Sequence, residues 1–248
     1  MLWSKVKTVF IIAFLILDIA FLVLMGITSA GSGLSADELS EIVTLCGHYG
    51  ITLPPESVPV DATRLPLLEA RFLTAEDLPE ELRGRFSFDG TGAFTYQAEA
   101  PLKNEKKAER RIMDTLKEWG IDPATATVTT DGNSAGRVCF SYQNRPVFDC
   151  TIDFVLSDGA VVSAEGRWLW DVTVTQGAET IADAPTVLAE MIEEDALCHR
   201  DLSVQDIAVG YFPESAGEGI VHKIFPISPA YRITLSDGTV RTYPAFND

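Results

Sequence analysis

Residues 132–136 read Gly-Asn-Ser-Ala-Gly, the spacing with which serine hydrolases present a nucleophile. That chemistry needs a strand, a sharp turn and then a helix, so that the hydroxyl stands clear of the sheet. Here the residues after Ser134 alternate as a strand does, and the motif reads as a glycine-rich hairpin loop. The histidines, His48, His199 and His222, fall outside the His-Glu-x-x-His frame and the i, i+4 spacing of zinc enzymes. Cys198 and His199 are adjacent, which is not a usual ligand spacing. Glu190, Glu193, Glu194 and Asp195 crowd one helical segment and read as a solvated face. No phosphate-cradling loop, calcium loop or dinucleotide fingerprint is present, and no cofactor is expected. The chain is expected to act by contact and not as an enzyme.

The residue most at odds with its neighbours is Asp18. It interrupts an apolar run over residues 9–27, which as a helix reaches roughly 28 Å, close to the thickness of a bilayer interior. Lys5 and Lys7 precede the run, while Asp37, Glu38 and Glu41 follow it. This asymmetry predicts a cytoplasmic N-terminus and an extracytoplasmic C-terminal part, with Trp3, Lys5 and Lys7 at the inner membrane interface. A signal peptide cleaved after Thr28-Ser29-Ala30 is the competing reading. The run exceeds the ~7–15 apolar residues of such peptides, so an uncleaved single-pass anchor in the cell membrane is expected. An ionisable group near the bilayer centre costs ~2.5–3.5 kcal/mol and generally faces a partner helix. Tolerance by strongly apolar neighbours is the alternative. No Gly-x-x-x-Gly face offers another packing motif.

Net charge is −17, and it becomes −18 once Lys5, Lys7 and Asp18 are set aside with the anchor. So acidic an exterior repels nucleic acid and anionic head groups, which excludes nucleic-acid binding. The cysteines, Cys46, Cys139, Cys150 and Cys198, all lie in the expected exterior, where disulfides persist. A hairpin turn at Gln143-Asn144-Arg145-Pro146 would set positions 139 and 150 opposite each other, which makes Cys139–Cys150 the candidate disulfide. Buried free thiols are the alternative.

The elements that would position these residues follow from periodicity and turn chemistry. The expected order is a cytoplasmic tip and anchor (1–29), a Gly-Ser tether (30–34), an N-terminal helix with wrapping strands (35–100), and two helix-plus-sheet lobes (101–178 and 179–248). Ser35 and Glu38 form a capping box for the first helix. Residues 52–66 are proline-rich and extended. Strands are expected over 67–72 and 86–98, the latter broken at Asp89-Gly90-Thr91-Gly92. A helix over 103–119, stopped by Gly120, precedes strands over 125–130, 137–142, 147–156 and 161–174. Asp183 then caps a third helix carrying Pro185 in its first turn, before strands over 204–212, 220–225, 231–235 and 239–243. A helix followed by about four hairpin-linked strands, twice over, predicts an α+β class with antiparallel sheets: an N-terminal transmembrane helix and two lobes of similar topology.

The opening Trp3-Ser4-Lys5-Val6-Lys7-Thr8-Val9-Phe10-Ile11-Ile12-Ala13-Phe14-Leu15-Ile16-Leu17-Asp18 closely resembles the start of the YycI (WalI) family of Gram-positive bacteria. Further echoes are Tyr142-Gln143-Asn144-Arg145-Pro146-Val147-Phe148, Gly210-Tyr211-Phe212 and Pro229-Ala230-Tyr231-Arg232-Ile233, in the expected order along the chain. Family members usually carry Asn in place of Asp18, often Trp in place of Tyr231, and Asn-Ala-x-x-Gly where this chain ends Pro244-Ala245-Phe246-Asn247. The resemblance implies a regulator of the WalK–WalR two-component system in cell-wall homeostasis. Its partners would be a YycH-like sister protein and a WalK-like sensor histidine kinase, met through membrane helix and exterior domain. Phe14, Asp18 and Leu22 would then lie on a helix–helix seam. A PepSY-like exterior module binding a cell-wall polymer or protease is the alternative expectation.

Overall fold

The computed structural model describes residues 34–60, 63–99, 107–132, 134–193, 201–213 and 223–245. The expected anchor, with Trp3, Lys5, Lys7, Phe14, Asp18 and Leu22, lies outside the described residues. Among the described residues no helix is long and apolar enough to cross a membrane.

Helix α1 (Ala36–His48) starts at the predicted capping box. Ser35 Oγ accepts from Glu38 N at 3.3 Å, and the Glu38 carboxylate accepts from Ser35 N at 2.8 Å. Strand β1 (Ile51–Thr52) follows, and the proline-rich stretch makes a 3-10 turn, Pro55–Ser57, before β2 (Arg64–Phe72). Two more 3-10 turns, Ala75–Asp77 and Glu80–Arg85, lead to the hairpin of β3 (Phe86–Phe88) and β4 (Ala93–Gln97). Helix α2 (Ala108–Glu118) ends as Gly120 predicts. Ile121 N donates to Leu116 O at 2.9 Å and Gly120 N to Lys117 O at 3.0 Å, with Gly120 at φ 83°, where a β-carbon would be strained. Five strands come next: β5 (Ala126–Asp131), β6 (Ala135–Tyr142), β7 (Arg145–Ser157), β8 (Ala160–Arg167) and β9 (Leu169–Thr180). Asp183 Oδ1 accepts from Thr186 N at 3.0 Å and so caps α3 (Ala184–Glu193). Strands β10 (Leu202–Pro213), β11 (Phe225–Leu235) and β12 (Val240–Pro244) close the fold.

The architecture is mixed α+β, with a large, mostly antiparallel sheet and few helices. One half of the sheet runs β3-β4-β8-β7-β6-β5. The other runs β10-β11-β2-β9, with β1 beside β10 and β12 beside β11. The halves join at a parallel contact where Tyr211 pairs with Val147. A β-carbon on Gly210 at this seam would collide with the Pro146 carbonyl oxygen, so only glycine lets the backbones come this close. Helix α2 packs on β5, β6 and β8, while α1 packs against α3 and β1. One apolar core runs through both halves.

Three readings of the sequence are corrected. The expected strand 161–174 is two strands, β8 and β9, separated at the buried Trp168. The first stays with β7, whereas the second crosses to pair with β2. Residues 220–222 of the expected strand 220–225 lie outside the described residues, and its end, Phe225, belongs with 231–235 to one strand, Phe225–Leu235, continuous through Pro226 and Pro229. Pro229 is tolerated because its outer edge falls in the gap between the ladder to β2 (225–227) and the ladder to β12 (230–234). Its carbonyl accepts from Ala245 N at 2.9 Å on that edge, and the donor it lacks is not needed there.

The third correction concerns the candidate disulfide. The hairpin turn is the two-residue Gln143-Asn144, both left-handed (φ 48° and 63°), with Tyr142 opposite Arg145. A bulge around the left-handed Asp149 then shifts the ladder, so Cys139 faces Thr151 and Cys150 points to the opposite face. Both are free thiols, as is Cys46. Burial pushes the Cys46 thiol up to about 11 and the Cys150 thiol up to about 12. Without reductant, native Cys46 and Cys150 are therefore expected to resist a thiol reagent at neutral pH and to react once denatured. Titration in a Cys198→Ala background checks this; a denatured chain still lacking the Cys139 and Cys150 thiols would restore the bridge.

Candidate functional site

Helix α2 covers one face of β5–β8, and among the described residues no helix covers the opposite face. Cross-strand register aligns Thr129, Arg137, Asp153, Glu165, Thr95 and Ser87 in a single row across the half-sheet. Arg137 meets Asp153 two-pronged: Nε donates to Oδ1 at 2.6 Å and Nη2 to Oδ2 at 3.0 Å. This pairing raises the proton affinity of the guanidinium. Both side chains are well exposed, so the pair orders the surface more than it stabilises the fold. Glu165 stands directly opposite Asp153, an unfavourable like-charge juxtaposition, and has no side-chain hydrogen bond or ion pair among the described residues.

Beside this row is a hollow of about 400 Å³, lined by Ser87, Asp89, Asp153, Glu165 and Arg167 among others. Asp89 is held by its own turn, its Oδ1 accepting from Thr91 N at 2.7 Å, Thr91 Oγ1 at 2.9 Å and Ala93 N at 3.2 Å. Those donors, the Thr91 amide foremost, keep its carboxyl below the usual carboxylate range. Arg167 Nη2 donates to Thr91 Oγ1 at 3.3 Å on the rim. Asp149, also at the hollow, pairs with Arg232 at 2.7 Å, and that guanidinium lies 4.3 Å from the centre of the Phe148 ring. Such a surface can hydrogen-bond a polar partner and attract a cationic one. Among the described residues no three His, Cys, Asp or Glu side chains converge to hold a metal ion.

Ser134 sits at the hairpin between β5 and β6, its carbonyl accepting from Leu156 N at 2.8 Å. A strand follows it, so the strand–turn–helix path of a nucleophile elbow is not built here. His48 ends α1, while His199 and His222 lie outside the described residues. Cys139 and Cys150 share a hairpin but not a face.

Sequence reasoning did not single out strand β9. Among the described residues it pairs with β2 along one side only and ends the sheet, and residues 173–180 are all exposed. Its alternating Val-Thr pattern was legible, but its position at an edge depends on the crossover after Trp168, which no local pattern signals.

No family model matches the chain, and no curated protein matches it. Among solved structures, the chain is similar to an uncharacterized protein from Eubacterium rectale. The TM-score is 0.47 and the identity 8%, covering 80% of this chain and 89% of that one.

Proposed function

We propose that this protein is a membrane-anchored, extracytoplasmic regulator that contacts a sensor histidine kinase and a YycH-like sister protein to modulate two-component signalling. In this reading it is a single-pass protein with its N-terminus in the cytoplasm. Its transmembrane helix precedes two lobes of similar topology, and it works without catalysis or cofactor. The observation that carries the reading is the opening block, in which Lys5 and Lys7 precede an apolar run broken only by Asp18. Two features of the fold are compatible with it: α2 leads into the meander β5–β8, and α3 leads into β10–β12. Regulation of this kind requires that the protein favour one signalling state of the kinase, because a partner binding both states equally shifts nothing.

The test is co-purification of the kinase or sister protein from membranes at matched expression. Asp18→Leu removes the insertion cost and the polar contact together, so the anchor inserts at least as well while partner recovery falls. The loss expected for one polar contact between membrane helices is ~0.6–1.7 kcal/mol, roughly three- to twentyfold in affinity. Asp18→Asn keeps a donor and an acceptor and should recover nearly as much partner as the unaltered chain. Equal recovery from all three would remove Asp18 from the contact. Recovery of a wall polymer or protease in place of a kinase would favour the PepSY-like alternative.

A further inference from the structure

We propose that the free edge of β9 accepts an extended, positively charged segment of a partner protein as an added strand. The proposal rests on this strand alone and is independent of the membrane contact at Asp18. Strand β9 spans Leu169–Thr180, and among the described residues β2 pairs with one of its sides and no strand pairs with the other. Residues 173–180 are exposed, so side chains on both faces of the strand are left uncovered, including Val174 at 50%. An edge strand presents a row of N–H and C=O groups that water satisfies less specifically than another strand would. Proteins commonly blunt such edges with lysine, proline or bulges. Between Leu169 and Thr180 this chain has bulges but no lysine or proline, and Val172-Thr173-Val174-Thr175 is rich in β-branched residues that favour pairing.

Two observations choose the occupant. The first is geometry. The ladder to β2 shifts register between Leu65 and Leu67, Leu67 and Leu68, and Glu69 and Arg71, each time with an extra residue on β9. Such bulges increase local twist, which opposes the meshing of two copies of the same bulged edge. A single extended segment can follow the twist, and strand addition of this kind draws its affinity from main-chain hydrogen bonds. The second is charge. The chain carries −17 overall, and β9 itself contains Glu179 and Asp171, the latter paired with Arg71, but no basic residue. A second copy is repelled, whereas a basic segment is drawn in and held near the edge.

The test uses the full chain in detergent micelles and follows backbone hydrogen exchange. The probes are a short alternating Val-Thr peptide with lysine at each end, its aspartate-ended counterpart, and the lysine-ended peptide N-methylated at alternate residues. With the lysine-ended peptide at about a hundred times its Kd, exchange of the outward amides within residues 172–178 should slow about a hundredfold. The aspartate-ended and N-methylated peptides should leave them unprotected. Equal protection by the N-methylated peptide would mean that charge alone binds it, and equal protection by the aspartate-ended peptide would mean that charge does not select. Either result overturns the proposal. So does the absence of protection from every peptide, or a peptide-free dimer in which these amides are already protected.

Discussion

Replacing Trp119 with alanine lowers the stability of the fold by ~3–5 kcal/mol, the range for removing a large aromatic from a packed core. Trp119 follows the last turn of α2 and is 1% exposed. Its ring centre lies 4.9 Å from Phe86 and from Tyr96, 5.4 Å from Phe154 and 6.0 Å from Phe94. These rings come from β3, β4 and β7, so the indole joins the helix to the hairpin and to the central strand of one half-sheet. Its removal forfeits apolar burial and edge-to-face contacts together. The Schellman motif just beyond it fixes the helix end, so the neighbours cannot simply collapse into the space. Urea unfolding should show a lower midpoint at unchanged slope, with Trp119→Phe well inside the alanine loss. A cost under ~1 kcal/mol would mean that the cluster refills the cavity and does not hold the helix in place.

How far the sequence foretold this fold depends on the range of each signal. The Ser35/Glu38 capping box, the Asp183 cap and the Gly120 stop are written within a few residues, and each is found where the sequence places it. The turn at Asp89-Gly90-Thr91-Gly92 is equally local, and it forms as expected. What failed was non-local. Whether 161–174 is one strand or two depends on β2 and β4 competing for it from different half-sheets. The expected strands stopped at 225 and resumed at 231, yet Pro229 falls at the changeover between two neighbours, which only the assembled sheet reveals. The Cys139–Cys150 pairing assumed an unbroken ladder, and a bulge at Asp149 moved it.

The candidate surfaces divide in the same way. The acidic balance was plain from composition, but the row from Thr129 to Ser87 exists only because six strands register it. Hairpin spacing pairs Thr129 with Arg137 and Ser87 with Thr95, but the row is completed by the long-range pairing of Thr95 with Glu165, which no spacing rule signals. The edge status of β9 is likewise a property of topology. Asp18, by contrast, is conspicuous from sequence alone, because a single carboxyl among apolar residues breaks a one-dimensional rule.

Asp77→Asn costs ~3 kcal/mol at neutral pH, of the size found when one partner of a largely buried ion pair is removed. The Asp77 side chain is 10% exposed and that of Arg71 21%. Arg71 Nη1 and Nη2 each donate to Asp77 at 2.6 Å, while Thr74 N and Thr74 Oγ1 donate to Oδ2 at 2.9 Å and 2.8 Å. The same guanidinium reaches Asp171 at 2.8 Å, so the 3-10 turn, β2 and the start of β9 are tied through one side chain. Burial pushes the Asp77 carboxyl up, but the hydrogen bonds from Arg71 and Thr74 outweigh it and hold the group below the usual carboxylate range. A depressed folded-state value makes this stabilisation fully present above the unfolded value, near 4, and it is lost as pH falls through the folded one. The stability gap between the unaltered chain and Asp77→Asn should therefore be widest at neutral pH and shrink below about pH 4. Urea unfolding at pH 7 and pH 3 measures it. Because Asp171 keeps its contact with Arg71 in the variant, β9 should remain paired with β2, and hydrogen exchange along β2 and β9 provides the check. A gap of equal size at both pH values would show that the amide disturbs packing and that the carboxylate charge is not what holds the turn.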